Sequence, residues 1–167
     1  MRITATIVAA LLVSPGWPAL ADESTFLRTL DGDWIGEGSV RLRTHRDPIS
    51  VSCDFTSTGE GSELSLDGRC RALSVFSRNI SANLAAQGSS YSGVYVGAGT
   101  GQAGLKGTRN GQAINLTVTW ARTVNGDREA RMTLEKLNQN AMRLTTVDRD
   151  PETGRNVTTS TITLQLK

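Results

Sequence analysis

Histidine and cysteine are scarce in this sequence of 167 residues, which has one histidine, His45, and two cysteines, Cys53 and Cys70. A structural zinc site takes four nitrogen or sulfur ligands, and these three side chains do not supply them. His45 precedes the turn signal Asp47-Pro48, and a residue in such a loop is usually exposed to solvent. A histidine that acts as a general base also needs a partner that orients it, and only Asp47 is near in the sequence. The sequence therefore predicts no metal site, no cofactor and no catalytic residue, and we expect the protein not to be an enzyme.

Neither sign of charge dominates the composition. The chain has 18 lysine and arginine residues and 16 aspartate and glutamate residues, which gives a formal net charge of +2 at pH 7. Domains that bind nucleic acid are usually strongly basic, so this balance argues against a nucleic-acid partner. Long apolar runs are also missing, since none reaches the ~20 residues that a transmembrane helix requires. The sequence therefore predicts no transmembrane segment.

The first 21 residues follow the three-part pattern of a secretory signal peptide. Arg2 is the only charged residue before Asp22, the apolar run Ile7–Val13 follows it, and small residues in Ala19–Ala21 stand where a signal peptidase cuts. Cleavage before Asp22 would leave one domain of 146 residues, 22–167, and would lower the formal net charge to +1. Arginine outnumbers lysine 15 to 3, which is typical of GC-rich bacterial genomes. We therefore expect a periplasmic or secreted protein.

Both cysteines lie in the predicted mature chain, and an even pair in an oxidising compartment favours a disulfide. Ser50–Thr58 and Ser62–Leu73 have the pattern of two strands, joined by a turn at Gly59-Glu60-Gly61. The midpoint between Cys53 and Cys70 falls in this turn, so an antiparallel hairpin sets the two residues opposite each other. Opposed Cα atoms in such a pair are roughly 4.5–5.5 Å apart, which is within disulfide reach. The sequence predicts a structural Cys53–Cys70 disulfide.

Apolar and polar side chains alternate along most of the mature chain, as in strands with one buried and one exposed face. Gln112–Trp120 shows the pattern most clearly, and residues 130–135 and 161–166 repeat it. Turn signals such as Asn125-Gly126 separate about ten such segments. Only Asp22–Leu30 has helical spacing, and Asp22 or Ser24 is the candidate N-cap. The pattern predicts an all-β domain, a sandwich or barrel of antiparallel strands in up-and-down order with a short N-terminal helix.

Two other motifs match the residue patterns of known ligand-binding loops in part. Residues 99–104 spell G-x-G-x-x-G, but the strand pattern after them leaves no helix N-terminus to hold a phosphate. Asp148, Asp150 and Glu152 are acidic like a calcium loop, but the glycine that follows does not fit the EF-hand spacing. We interpret the first motif as a flexible strand edge and residues 148–156 as a charged hairpin tip.

The predicted first strand opens with Leu30–Gly38, which contains the pattern Gly-x-Trp-x-Gly-x-Gly from Gly32 onward and follows the short helix. This pattern resembles the first strand of the calycin barrels, which include the lipocalins, and its extended form resembles their haem-binding nitrobindin branch. The resemblance implies an antiparallel β-barrel that binds a small apolar ligand, with Trp34 as a plug at the closed end. It also implies an arginine from a late strand packed over the tryptophan, for which Arg143 is the candidate. The chain departs from the nitrobindin pattern because no histidine follows His45 to bind a haem iron.

The predicted inner face of the barrel provides one candidate site. Small residues there leave room for a ligand, although they also allow a barrel to flatten and pack solid. The small residues are Gly36, Gly38, Gly68, Ala72, Ala82 and Ala86. The larger residues that we expect to contact a ligand are Phe55, Leu84, Trp120, Met132 and Leu144.

A set of arginines provides the second candidate site. If the cysteines point inward, Arg69 and Arg71 point outward, and Arg41 and Arg43 alternate in the same way with Val40 and Leu42 along the first strand. Four guanidinium groups on one outer face suit an anionic partner such as an envelope component. The sequence therefore predicts an exported β-barrel that binds a small hydrophobic molecule, with docking of an anionic partner as the alternative.

Overall fold

The computed structural model of the protein describes residues 19–73, 76–97 and 99–167. Within them, helix α1 (Ala19–Arg28) precedes ten strands. The strands are β1 (Gly32–Val40), β2 (Ile49–Glu60), β3 (Glu63–Ala72), β4 (Phe76–Gln87), β5 (Ser90–Val96), β6 (Ala103–Asn110), β7 (Ala113–Val124), β8 (Asp127–Asn138), β9 (Ala141–Arg149) and β10 (Asn156–Leu166). Residues 1–18, which make up most of the predicted signal peptide, lie outside the described part, so export stays a prediction.

The ten strands form one closed antiparallel barrel. Each strand pairs with the next one along the chain, and β1 pairs with β10 to close the ring. In that closing pair Trp34 lies opposite Leu166 and Val40 lies opposite Ser160. The prediction of an all-β, up-and-down barrel with one short helix is therefore confirmed.

The hairpin turns follow the local sequence. Asn125 and Gly126 join β7 to β8, and both have a positive φ, 52° and 99°. A two-residue hairpin turn of type I′ requires this backbone conformation, which asparagine and glycine adopt most readily. The turn between β2 and β3 is shorter than expected, because Glu60 pairs with Glu63 and only two residues connect them.

Helix α1 lies across one end of the barrel, which we name the closed end. Its side chains Phe26 and Leu27 are buried there, together with Leu30 just after the helix. The end of β2 passes so close beneath the helix that a Cβ atom on Gly59 would come within 2.3 Å of the Leu27 carbonyl oxygen, so this position requires glycine. The helix begins at Ala19, three residues before the expected start, and Asp22 therefore lies in the first turn rather than at the N-cap.

The opposite end, which we name the open end, carries the connections β1–β2, β3–β4, β5–β6, β7–β8 and β9–β10. The side chains with no exposed surface are concentrated toward the closed end and include Leu30, Trp34, Ile114, Met142 and Leu164. The packed core therefore occupies mainly the half of the barrel next to α1. Among the described residues, no helix has the length and apolar character that crossing a bilayer demands.

Candidate ligand-binding cavity

The other half of the barrel contains a cavity of about 540 Å³. Its wall is formed by inward-facing side chains of the strands, and its mouth by residues of the open end. A volume of this size lies in the range of pockets that hold small molecules. The five residues that we expected to contact a ligand all lie on this wall: Phe55, Leu84, Trp120, Met132 and Leu144. Their contact with a ligand stays a prediction.

The small inward residues play two different roles. Ala72 and Ala82 line the cavity, as expected. A Cβ atom on Gly36 or Gly38 would instead lie 2.1 or 2.0 Å from a carbonyl oxygen of β10, and one on Gly68 would lie 2.4 Å from the ring of Phe55. The expectation that these glycines leave room for a ligand is therefore wrong, because they allow neighbouring backbone and aromatic atoms to approach closely.

A polar group in the cavity wall was not predicted as a site. Asp148 was expected in an exposed hairpin tip, but it lies within β9, lines the cavity and is only 3% exposed. Its Oδ2 atom accepts a hydrogen bond from the Thr159 hydroxyl, whereas Oδ1 has no partner among the described residues. Burial raises the pKa of Asp148 above its ordinary value, the side chains of Thr159 and Asn125 act in the opposite direction, and the like charge of Asp127 raises it further.

An irregularity in β10 creates the surroundings of this carboxyl group. The pairing between β9 and β10 shifts register between Thr158 and Ser160, so the strand carries one extra residue. As a result both Thr159 and Ser160 line the cavity, although neighbouring residues of a regular strand face opposite sides. Thr146 and Asn125 complete a polar patch of the wall near the open end.

Trp120 contributes a second polar atom without a partner. Its side chain is 4% exposed, and its indole Nε1 has no hydrogen-bond acceptor within the described chain. The ring of Tyr95 packs edge-on against it, with 6.1 Å between the ring centroids. Burial raises the pKa of Tyr95 to about 12, although the positive charge of Arg78 lowers it, so the phenol is uncharged at neutral pH.

Exposed apolar side chains and arginines surround the mouth of the cavity. Leu42, Leu73 and Phe76 line it and are 72%, 68% and 67% exposed. Large apolar side chains exposed together often mark a contact surface. Three arginine residues from three elements also border the mouth: Arg41, Arg71 and Arg78.

The four arginines of the second candidate site do not lie on one strand face. We expected Arg41 and Arg43 in a strand. Strand β1 ends at Val40, however, so both residues belong to the β1–β2 connection. Arg69 and Arg71 do lie on the exposed side of β3, where Arg69 donates a hydrogen bond to Asn79. Arg71 forms an ion pair with Asp54, with 3.1 Å between the atoms. Docking of an anionic partner by these four residues stays a prediction.

Trp34 lies at the closed end and has no exposed surface. Its Nε1 donates a hydrogen bond of 3.2 Å to the Leu30 carbonyl oxygen. The cation over its ring is Lys136, whose Nζ lies 4.6 Å from the ring centroid and also donates to the Thr29 carbonyl oxygen. The expectation that Arg143 packs over Trp34 is wrong, because the Arg143 side chain points outward. Its Nη1 atom lies 3.8 Å from Oε2 of Glu135. Burial lowers the pKa of Lys136.

A second polar cluster fastens α1 to the barrel. The carboxylate of Glu23 is buried and accepts hydrogen bonds from the Tyr91 hydroxyl and from Arg109 Nε. Arg109 also pairs with Asp22 and lies over the ring of Phe26, 4.7 Å from its centroid. Residues more than 60 positions apart meet here, so the sequence pattern contained no signal for this cluster.

The predicted Cys53–Cys70 disulfide is confirmed. The two residues are directly paired in the β2–β3 ladder, and their Cα atoms are 4.1 Å apart. Both side chains point inward, and Cys70 also lines the cavity. His45 is exposed in the β1–β2 connection, as expected, and the described residues contain no group of side chains suited to a metal ion.

No family model and no curated protein sequence matches the chain. Solved structures do match it. Rv2717c from M. tuberculosis has a TM-score of 0.63 and 16% identity, over 90% of this chain and 98% of that chain. The S-type phycobiliprotein lyase CPES from Guillardia theta has a TM-score of 0.54 and 10% identity, over 89% of this chain and 96% of that chain. Both are ten-strand barrels of the calycin-like type. The chain shares their fold.

One of these comparisons corrects an expectation from the sequence. We expected the protein not to be an enzyme, because no catalytic residues stand out. The phycobiliprotein lyase is a protein of an enzyme type with the same barrel fold, so this expectation is contradicted. A barrel of this kind supports different functions, and the function must be argued from the site.

Proposed function

We propose that the barrel binds a small, largely apolar molecule in its cavity. The observation that carries this proposal is the cavity of about 540 Å³ itself, which is lined mostly by apolar side chains and reaches the surface at the open end. Removing an apolar molecule from water into such a space is favourable by about 25 cal/mol for each Å² buried. The fold shared with Rv2717c and the phycobiliprotein lyase is compatible with this function.

The proposal includes export. The signal-like pattern before Asp22 and the Cys53–Cys70 disulfide both support an oxidising compartment, the periplasm or the outside of the cell. The alternative function, docking of an anionic envelope component by the arginines, receives less support. The four arginines are divided between a connection and a strand, and Arg71 is already paired with Asp54.

Ala82→Phe tests the proposal, because Ala82 lies on the cavity wall and a phenyl group there would occupy the space of the ligand. We expect the wild-type protein to bind the neutral fluorescent probe N-phenyl-1-naphthylamine saturably. The variant should bind it about tenfold more weakly, which corresponds to ~1.4 kcal/mol. Fluorescence titration measures both affinities, and thermal unfolding checks that the variant is folded.

The matched control is Ala85→Phe, which places the same side chain on the exposed side of the same strand. This variant should bind the probe like the wild type. Absence of saturable binding to the wild type, or an equal loss of affinity in both variants, would show that the cavity is not the binding site.

A further inference from the structure

The carboxyl group of Asp148 is placed as a polar anchor within an otherwise mainly apolar cavity. It lines the cavity, it is 3% exposed, and its Oδ1 atom lacks a hydrogen-bond partner in the described part of the chain. Buried polar atoms in native proteins nearly always have a partner, because an unpaired one loses the hydrogen bonds that water would supply. A free oxygen that faces a ligand cavity therefore indicates a position where the ligand supplies a hydrogen-bond donor.

The surroundings of Asp148 show which kind of donor fits. Thr159 occupies Oδ2, and the amide of Asn125 lies near the carboxyl group but makes no hydrogen bond of normal geometry to Oδ1. The nearby charge that acts on the carboxyl group is Asp127, which has the same sign. A buried carboxylate without a cation is unfavourable, and a positively charged donor would relieve both the missing hydrogen bond and the missing countercharge.

The arginines at the mouth do not fill this role. Arg71 pairs with Asp54 on the exterior, and Arg41 donates a hydrogen bond to the Arg46 carbonyl oxygen. Arg78 belongs to β4, which is five strands away from β9 in the ring of ten and therefore on the opposite wall. Its guanidinium is next to Gly99, where a Cβ atom would come within 2.1 Å of Nη1.

We propose that Asp148 binds the polar end of the ligand and that this end carries a protonated amine on an otherwise apolar molecule. This inference rests on the proposed function of the cavity and adds the chemical class of the ligand. The apolar part would lie against Leu84, Met132 and Leu144, and the amine would donate to Oδ1 near the open end.

Three compounds with the same chain and different polar ends test the inference: decylamine, 1-decanol and decanoate at pH 7.4. Each is used to displace N-phenyl-1-naphthylamine from the wild-type protein. Decylamine should displace the probe at a concentration about tenfold lower than 1-decanol, because both can donate a hydrogen bond to the carboxylate but only the ammonium group adds a countercharge. Decanoate should be the weakest of the three, because its charge repels the carboxylate.

Asp148→Asn should bring decylamine to the level of 1-decanol. This variant keeps an acceptor for Thr159 and removes a charge that burial disfavours, so its unfolding temperature should be no lower than that of the wild type. Asp127→Asn is the control, because it removes an equal charge from an exposed residue that does not line the cavity. It should preserve the preference for the amine.

The possible failures are distinguishable. If the wild type does not bind the neutral probe, the proposed function itself is wrong. If the probe binds but decanoate competes as well as decylamine, or Asp148→Asn retains the full preference for the amine, only the assignment of Asp148 is wrong.

Discussion

The two tryptophans in the described part of the chain show how different two buried residues of one type can be. Trp34 is surrounded on all sides, its indole N–H is paired with Leu30, and Lys136 covers its ring. Trp120 is almost as buried, but it lines the cavity and its N–H has no partner among the described residues. Trp34 therefore contributes to stability, whereas Trp120 is free to contact a ligand.

Replacing Trp34 by alanine should lower the free energy of unfolding by ~3–5 kcal/mol, because truncation of a packed aromatic side chain leaves a cavity. Urea-induced unfolding measures the change. Ile35→Ala is the control, since Ile35 is 46% exposed on the same strand and should cost far less. A loss below ~1 kcal/mol for Trp34→Ala would contradict its role as the plug of the barrel.

At the scale of secondary structure, regular and irregular strand pairing have different structural consequences. The β2–β3 hairpin is regular over its whole length, and this regularity places Cys53 opposite Cys70. Strand β10 is interrupted at Thr159, and the extra residue places a hydroxyl against Asp148. The regular hairpin supports a covalent link, and the bulge builds the polar patch of the cavity.

The hairpin disulfide should form in the purified protein and contribute about 3 kcal/mol to the free energy of unfolding, since it closes a loop of 17 residues in the unfolded chain. Non-reducing mass analysis should find Cys53 joined to Cys70. The double variant Cys53→Ala with Cys70→Ala should be less stable than the oxidised wild type by that amount. The reduced wild type is the comparison and should lose a similar amount. Two free thiols in protein purified without reductant would be inconsistent with the observed pairing.

At the scale of the whole molecule, the barrel is closed by α1 at one end and hollow toward the other. Glu23, Phe26 and Leu27 attach the helix to the closed end, and all three follow the predicted cleavage site. Removal of residues 1–21 would shorten α1 by three residues and leave these contacts in place. Processing is therefore compatible with the same closed end.

The mature protein should begin at Asp22, because Ala19 and Ala21 are the small residues that signal peptidase requires. N-terminal sequencing of protein from the periplasmic fraction measures this. Ala21→Arg is the control and should yield an unprocessed chain. Periplasmic protein that retains Met1 would exclude export through this signal.

The sequence by itself determined the class of the fold and much of the wall of the cavity. Period-two alternation assigned Phe55, Trp120 and Met132 to the inner side, because the side of a strand that a residue faces depends only on local geometry. Turn residues such as Asn125-Gly126 located the hairpins for the same reason. The register of one hairpin was also sufficient for the disulfide.

Only the tertiary structure decided which inner positions border empty space and which polar groups meet. Alternation specifies a side of the sheet but not a depth in the barrel, so it could not separate Ala82 on the cavity wall from Gly38 against the backbone of β10. Lys136 lies over Trp34 although their strands, β8 and β1, are not neighbours in the ring, so this contact depends on the closed barrel. The position of the bulge that brings Thr159 to Asp148 depends on the pairing of two complete strands, β9 and β10, and not on the residues at that point alone.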